Sequence, residues 1–570
     1  MKKIIYILPL FVLLFGCSDL LDIAPTNIIS EDAVKNDPVL VDAFLNKIYN
    51  GTRFQSGGEG NALLNVMSDE ANVFAGWQTP FGAAMKIIDE NGAHSALEYW
   101  PYGNIRSCNE IMDILEEATF DPVLVEQKTA EARWLRAFMY FELVKRYGGV
   151  PLITEAQSID QPVEELYVER NSEKEIYDFI ASEMDALVNL LPEGYDSGNY
   201  GRPTKWAAYA LKSRAMLYAG SIAKYGSVQL NSLLGIPAGE ANSYYKKAYD
   251  ASMAIINGGM HPLYNQNADP VKNYSELMLT DGNSEVIFAE VYDYGLLKAH
   301  GWTFYCMPDG FQTGWGSNNW MYLEAWEKYE YNDGSSAVWD RSLLDGKHKF
   351  SRDEIIMNKD PRFLASAFYP ETPWGDGTVY VHNTTIGTIP ADSDWPKVAP
   401  KRNRIKTGIL IKKRVNESLI GLYNNEDDSD WMVFRTGEMY LNAAEAKFEM
   451  GEVEEARTLI NVIRNRAGMP DKETLTLEDV RNERFVELYI EEHRYWDIRR
   501  WRIAVDVLND KGFKGVTWDY YIEEDMYTLK IKDADFGQKR VFAERNYYLP
   551  IGLGRIADNP NLVENPGYTN

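Results

Sequence analysis

Trp431 to Gly451 reads WMVFRTGEMYLNAAEAKFEMG, and Glu452 to Arg466 continues EVEEARTLINVIRNR. Apolar residues recur at helical spacing on both sides of Gly451, a residue suited to a tight turn. Small Ala444 and Ala446 in the first segment, and Ala456 in the second, stand where two helices would touch. Such a helix–turn–helix unit buries its face only by stacking on neighbours, so further helices are expected elsewhere. Val123 to Tyr147 is the clearest. Leu135, Phe138, Met139, Leu143 and Tyr147 build one apolar stripe, Gly148-Gly149 supplies a left-handed stop, and Pro151 prevents continuation. Thr204 to Lys224 and Asn242 to Asn257 follow the same pattern, the first rich in alanine that lets a neighbour approach closely. A last long helix is expected from about Glu478 to Leu508, with Thr476-Leu477-Glu478-Asp479 as its capping signal.

The glycine and alanine spacing of 431–466 matches the tetratricopeptide pattern. The helix pairs are not contiguous, so a plain solenoid is excluded. Between about Gly258 and Ala399 the helical periodicity fades, and Gly, Asn, Asp, Trp and Tyr accumulate. Long irregular stretches inside a compact protein are usually functional. The fold class read from the chain is therefore mainly α, with tetratricopeptide-like helix pairs supporting an irregular, loop-rich face.

Composition fits that reading: 570 residues, 45% hydrophobic and 25% charged, which is ordinary for a globular body. The formal charge of −27 repels phosphate backbones and argues against nucleic-acid binding. More weakly, it argues against highly anionic polysaccharides. Three cysteines exclude a disulfide scaffold, and six scattered histidines make a histidine-rich metal site improbable.

The amino terminus sets the compartment. Lys2 and Lys3 precede the apolar run Ile4 to Phe15, which is shorter than the ~20 residues of a bilayer span and reads as a signal-peptide core. The run ends in Leu14-Phe15-Gly16-Cys17, similar to a bacterial lipobox, although Phe15 departs from the usual small residue. Cys17 is then the lipidated first residue of the mature chain, and several acyl chains make a stable anchor. Cys108 and Cys306 remain, either paired or as two buried thiols.

Six segments and a three-part closing run, in order, carry a resemblance to a known family. Leu20-Leu21-Asp22-Ile23-Ala24-Pro25 follows the cysteine. Then come Ala130 to Leu152, Arg202-Pro203-Thr204-Lys205, Asp360-Pro361-Arg362-Phe363, Arg435 to Gly468 and Glu483 to Trp501. The chain closes with Tyr548-Leu549-Pro550-Ile551, Asn559-Pro560-Asn561-Leu562 and Asn565-Pro566-Gly567-Tyr568. Across nearly its whole mature length the chain resembles the SusD/RagB family of surface lipoproteins. The resemblance implies a signal peptide over 1–16, an N-terminal SusD-like region over 17–240 and a RagB/SusD C-terminal region over 241–570, in one compact body. It also implies an outer-membrane, cell-surface lipoprotein that binds oligosaccharide and caps a SusC-like TonB-dependent transporter, with oligopeptide as the ligand of some members.

Sugar binding needs flat apolar rings for pyranose C–H faces and planar polar groups for hydroxyls. Trp302, Trp315 and Trp320, with Gln312, Asn318 and Asn319, lie in GWTFYCMPDGFQTGWGSNNW, where Gly314 and Gly316 flank Trp315. Trp315 and Trp320 are expected to be exposed on loops, whereas Trp326, Tyr329 and Tyr331 lie in a more helical stretch and are expected to pack. In the family, the loop after a similar Ser-Asp-Glu contributes to the site; here that motif is Ser68-Asp69-Glu70. It leads to Asn72, Trp77 and Gln78 as ligand-binding candidates, with Asp69 and Glu70 structural. Trp374 in Pro373-Trp374-Gly375-Asp376-Gly377 is a third locus.

Catalysis is the competing class. A lipoprotein glycoside hydrolase needs two carboxylates about 5–10 Å apart, and 85 acids meet that by chance. Glu491, Glu492, His493 and Asp497 sit beside Arg494, Arg499 and Arg500, a pattern that reads as a structural salt-bridge network. There is no G-x-S-x-G, phosphate loop or H-E-x-x-H. The acidic stretch Asn425 to Asp430 lacks a full calcium-ligand spacing. No enzyme activity, cofactor or metal is expected.

Overall fold

Helix starts and stops follow local chemistry. In the computed structural model, α1 spans Tyr102–Glu116 and α2 spans Pro122–Tyr147. The Asp121 carboxylate accepts the Val123 N–H at 3.0 Å, and Pro122 occupies a first-turn position whose N–H would have no helical partner. Helix α2 ends at Gly148 with φ +71°, where a Cβ would meet Leu234 Cδ2 at 2.3 Å. It is buried on nearly all sides from Ala130 onward rather than along one stripe. The structure describes residues 31–55, 64–73, 84–86, 88–89, 97–158, 160–308, 310–311, 316–388, 407–421 and 426–568.

Ser172 and Glu175 form a capping box at the start of α3, Glu173–Leu187. Thr204 caps α4, Lys205–Tyr225. Helix α5, Ala241–Gly258, runs so close to α4 that a Cβ on Gly220 would meet the Tyr245 ring at 2.7 Å. Outside the stack, α6, Pro270–Leu279, lies against α7, Pro361–Ser366. The pair that opened the sequence reading becomes α8, Thr436–Glu449, and α9, Val453–Arg466, joined through Gly451 at φ +89°. Each of α1 to α5 packs on the next, α5 packs on α8, and α8 on α9. Helices far apart in sequence thus form one continuous stack, and the mainly α expectation holds.

Two expectations change. Trp431–Arg435 is strand rather than helix, because its bulky Trp-Met-Val-Phe run pairs with Val286–Glu290 before α8 begins. The long C-terminal helix is three pieces: α10 Leu477–Glu487, α11 Arg494–Arg500 and α12 Ala504–Leu508. Thr476 and Asp479 do form the expected capping box. The break lies at 488–493, where Ile490 and Glu492 take φ of +62° and +61°. There Glu70 Oε1 accepts the Ile490 N–H at 3.0 Å, so a tertiary contact overrides helix propensity.

The strands form small sheets around the stack. One holds β1 (Ala71–Val73), β3 (Asn319–Met321), β9 (Leu410–Ile411) and β5 (Ala367–Phe368), in that order. The strand β2 (Val286–Glu290) pairs with β10 (Trp431–Arg435). A second four-stranded sheet orders β4 (Asp345–Ser351), β12 (Met526–Asp533), β11 (Lys514–Tyr521) and β8 (Thr384–Ile386). The hairpin β6 (Thr372–Trp374) and β7 (Gly377–Val379) stands alone. Trp326, Trp518 and Phe363 stack where the second sheet meets the body, Trp326 lying 5.5 Å from Trp518 and 5.9 Å from Phe363.

Candidate functional site

Ser68-Asp69-Glu70 is bolted into the core. Asp69 receives both Nε and Nη2 of Arg494, at 2.7 and 2.8 Å. Ser68 Oγ donates to Glu70 Oε2 at 3.0 Å. Burial pushes the Glu70 carboxyl up to about 8. Both acids are structural, as the sequence reading has them. The strand β1 follows directly and runs antiparallel to β3, with Ala71 opposite Met321, Asn72 opposite Trp320 and Val73 opposite Asn319. The chain therefore leaves β1 beside the point where it enters β3. Trp77 and Gln78 come four and five residues after Val73, and Trp315 and Gln312 come four and seven before Asn319. These four candidates lie outside the described residues. The described residues nearest to them in sequence on these strands, Val73 and Asn319, lie opposite each other at one end of the strand pair.

The other four candidates sit inside. Asn72 is fully buried, and its amide donates to the Ala534 carbonyl at 2.6 Å and to Asp535 Oδ1 at 3.2 Å. Trp302 belongs to a short helical turn, Trp302–Cys306, and its indole donates to the Lys413 carbonyl at 3.0 Å. Asn318 is buried, with its backbone N–H on the Tyr305 carbonyl. Trp320 has no exposed surface, and its indole donates to the Ser317 carbonyl at 2.6 Å. The loop expectation for Trp320 is thus corrected. Glycines and asparagines on its N-terminal side read as loop, but 319–321 is a strand paired on both flanks, by β1 and β9. Asn72, Trp302, Asn318 and Trp320 present no free face to solvent. Trp326 and Tyr329 are buried as expected, and Tyr331 is half-buried.

The charged run 483–500 is a clamp. Glu491 accepts from Lys413 Nζ and Arg435 Nε, each at 2.7 Å. Burial alone would push its carboxyl up, but these cations hold it below the usual range. Asp497 accepts from Arg484 at 2.8 Å and Arg500 at 2.9 Å. Burial, reinforced by surrounding cations, holds His493 well below its usual value and so neutral. Glu491 and Asp497 are engaged by cations, the structural role expected of them, and Glu492 accepts the Leu64 N–H at 3.3 Å. In the acidic stretch, Asp427 accepts from the Ser429 hydroxyl at 2.6 Å and from Thr303. Cys108 and Cys306 are buried, unpaired thiols.

Trp374, the third locus, is 4% exposed and lines a cavity of about 550 Å³ between α6, α7 and the β6–β7 hairpin. Lys412 lines it too. Sequence reading passes over Lys412; its one signal is the basic triplet Lys412-Lys413-Arg414 in an acidic chain.

Comparison with known proteins places these features. The model of the SusD family matches residues 284–568, and a model described as starch-binding associating with outer membrane matches residues 19–217. A SusD-like protein of Bacteroides ovatus is 25% identical over 609 aligned positions, covering 99% of this chain and 98% of its own. The starch-binding protein SusD of Bacteroides thetaiotaomicron is 24% identical over 489 positions, covering 82% of this chain and 77% of its own. The crystal structure of a SusD-like protein from Bacteroides fragilis superposes with a TM-score of 0.75 at 24% identity, covering 96% of this chain and 100% of that one, so the fold is shared.

Proposed function

The chain belongs to the SusD family, and from that premise we propose that it is a lipid-anchored, cell-surface protein that binds oligosaccharides and hands them to a SusC-like TonB-dependent outer-membrane transporter. The observation that carries the binding reading is the β1–β3 register. Val73, which precedes Trp77 and Gln78 in the chain, lies opposite Asn319, which follows Gln312 and Trp315, and two aromatic-bearing segments flanking one strand pair would suit a pyranose platform. The lipid anchor rests on Cys17 and the short apolar run before it. Among the described residues no helix is long and apolar enough to cross a membrane. A binding role without turnover is supported by the engagement of Glu491 and Asp497 with Lys413, Arg435, Arg484 and Arg500.

The test is calorimetric titration of the lipid-free body against a panel of neutral oligosaccharides and oligopeptides. Trp77→Ala and Trp315→Ala are each expected to weaken oligosaccharide binding by roughly five- to 150-fold, the equivalent of ~1–3 kcal/mol per anchor residue, with unchanged melting temperature. Normal affinity in both variants refutes the platform. Hydrolysis products in the titration cell favour the hydrolase, and binding of peptides alone favours the peptide-binding alternative.

A further inference from the structure

A cavity of about 560 Å³ opens at the C-terminal end of α4, between Tyr225-Gly226 and the turn Glu544–Tyr547. Its size is within the ~300–1,000 Å³ common for small-molecule sites. Arg502 and Arg545 both line it, and both are held by neutral groups. Arg502 Nη2 donates to the Tyr548 hydroxyl at 2.6 Å and Nη1 to the Arg499 carbonyl at 3.4 Å. Its guanidinium carbon lies 4.8 Å from the ring centroids of Tyr547 and Tyr548 alike. Arg545 Nη1 donates to the Gly567 carbonyl at 2.8 Å. Two donor atoms remain without a partner among the described residues, Arg502 Nε and Arg545 Nη2. Both side chains are half-buried, and neither atom is sealed from solvent. Arg502 Nε lies against the cavity wall at Gly226, where a Cβ would meet it at 3.5 Å.

Positive charge accumulates here without a carboxylate to absorb it. Arg499 sits behind Arg502, donating to the Tyr547 carbonyl at 2.8 Å and to the Tyr495 hydroxyl at 3.2 Å. Arg481 lies 5.4 Å from the Tyr225 ring centroid. Among the described residues none of these four arginines forms an ion pair, in a chain of formal charge −27 whose Arg362, Arg435 and Arg500 are each held by carboxylates. The nearby acids are committed elsewhere. Glu173 accepts the Tyr548 hydroxyl at 2.7 Å and the Gly235 N–H at 2.6 Å, and burial pushes its carboxyl up. Glu449 pairs with Lys224 at 2.6 Å. A helix C-terminus offers only about half a charge, and at the end of α4 the Ile222 carbonyl already accepts the Gly226 N–H. The remaining acid is Glu544, exposed at the rim. The backbone is strained as well. Arg502 takes φ +55°, and Leu230, Asn231 and Ser232, just past the lining Gln229, take +50°, +49° and +70°. Such conformations concentrate at ligand sites.

We propose that this cavity binds a tetrahedral oxyanion, phosphate or sulfate or an ester of either, which accepts from Arg502 Nε and Arg545 Nη2. Guanidinium donors on two separate segments of chain need an anion with oxygens on more than one side, which a tetrahedral group has and a planar carboxylate lacks. Clustered like charges in a cleft raise the local concentration of their counter-ion. The field of the acidic body is screened over ~8 Å at physiological ionic strength, so the local arginines decide. Nothing in this donor set depends on the oligosaccharide reading above.

Calorimetric titration of the lipid-free chain in chloride buffer would use inorganic phosphate, sulfate, glucose 6-phosphate and glucose 6-sulfate, with acetate as the planar anion and glucose as the neutral control. Phosphate or sulfate is expected to bind saturably and about tenfold or more tighter than acetate, tenfold being ~1.4 kcal/mol; the preferred ester shows which anion is carried. Arg545→Gln removes one donor, and Arg502→Lys keeps the charge but loses the planar fork. Each should weaken the preferred anion about tenfold or more. Glu544→Gln removes the rim carboxylate and should tighten binding about two- to fivefold, the effect of one exposed charge, without moving the melting temperature. Should Arg502→Lys lose stability, Arg545→Gln and Glu544→Gln decide. No saturable binding, acetate as tight as phosphate and sulfate, unchanged affinity in Arg545→Gln, or weaker binding in Glu544→Gln overturns the proposal.

Discussion

Replacing Glu487 by glutamine removes one charge from the middle of the buried clamp and leaves the shape nearly intact. Glu487 is wholly inside. Its carboxylate accepts from Arg435 at 2.8 Å, from Arg362 at 3.0 Å and, closer still, from Arg466. Burial alone would push the carboxyl up; the three guanidiniums reverse this and hold it far below its ordinary value of 4.5. In the variant, Arg435 keeps Glu285 and Glu491, Arg466 keeps Glu285, and Arg362 keeps Asp360 and Glu483. The glutamine amide must, however, turn its NH₂ toward a guanidinium, donor against donor. Breaking a buried pair from one side costs about 3–5 kcal/mol, and the surviving carboxylates place this case near the lower end.

At an unfolding entropy of ~2.1 cal/mol/K per residue, a body of this length melting as one unit would lose only about 3 °C, which scanning calorimetry resolves. Asp250→Asn removes the same charge from an exposed pair with Lys246, 2.6 Å apart; it should leave the transition unmoved, because exposed pairs contribute little. The folded carboxyl of Glu487 is depressed, so its contribution is present above about pH 4.5 and is lost as pH falls toward the folded value. The gap between the wild-type and Glu487→Gln transitions should hold from pH 8 to 6 and close below about 4.5. Equal melting temperatures for Glu487→Gln and Asp250→Asn, or a gap indifferent to acid, would refute the clamp argument.

Ala456 is fully buried among Leu441, Ala444 and Ile460, so Ala456→Phe should overpack the α8–α9 contact by about 1–3 kcal/mol and lower the melting temperature; an unchanged curve would remove this pair from the core. Trp320→Ala should destabilise by about 3–5 kcal/mol, as a core truncation does, and a variant that melts normally yet binds glycan weakly would return Trp320 to the surface. The folded value of Glu70, about 8, lies above its ordinary 4.5, so stability is full below about pH 4.5 and falls as pH rises to 8; Glu70→Gln should flatten that slope, and parallel pH profiles would show that Glu70 titrates normally. Cys17→Ala should release the protein from the outer-membrane fraction, and retention after carbonate washing would exclude the lipid anchor.

The helical stack was legible because its signals are local. The Gly148-Gly149 stop, the Thr476 capping box and Gly451 each act within a few residues of themselves. The strands were less so. Trp431–Arg435 pairs with Val286–Glu290, and the flanks of the 514–533 hairpin pair with 345–351 and 384–386; no window of a dozen residues contains both sides of those pairs. Trp320 shows the same limit. Its glycines and asparagines describe the approach to the strand, whereas its burial comes from β1 and β9 on either flank. The break at Ile490 depends on Glu70, 420 positions away, so helical periodicity through 478–508 could not reveal it.

That last contact also links the stack to the candidate site. Glu487 ends α10, held by arginines from β10, α7 and α9, and the next turn offers the Ile490 N–H to Glu70. Arg494, opening α11, grips Asp69. Both acids immediately precede β1, whose last residue lies opposite Asn319. The helix break is thus the means by which charges buried in the stack set where β1 ends. If so, Asp69→Asn should weaken glycan binding without touching any ring, because it loosens the strand that carries the Trp77 segment. Glu487→Gln acts one step earlier along the same chain of contacts. Should either variant lose stability while keeping full affinity, the edge is positioned by the β1–β3 pairing alone, and the clamp serves only the fold.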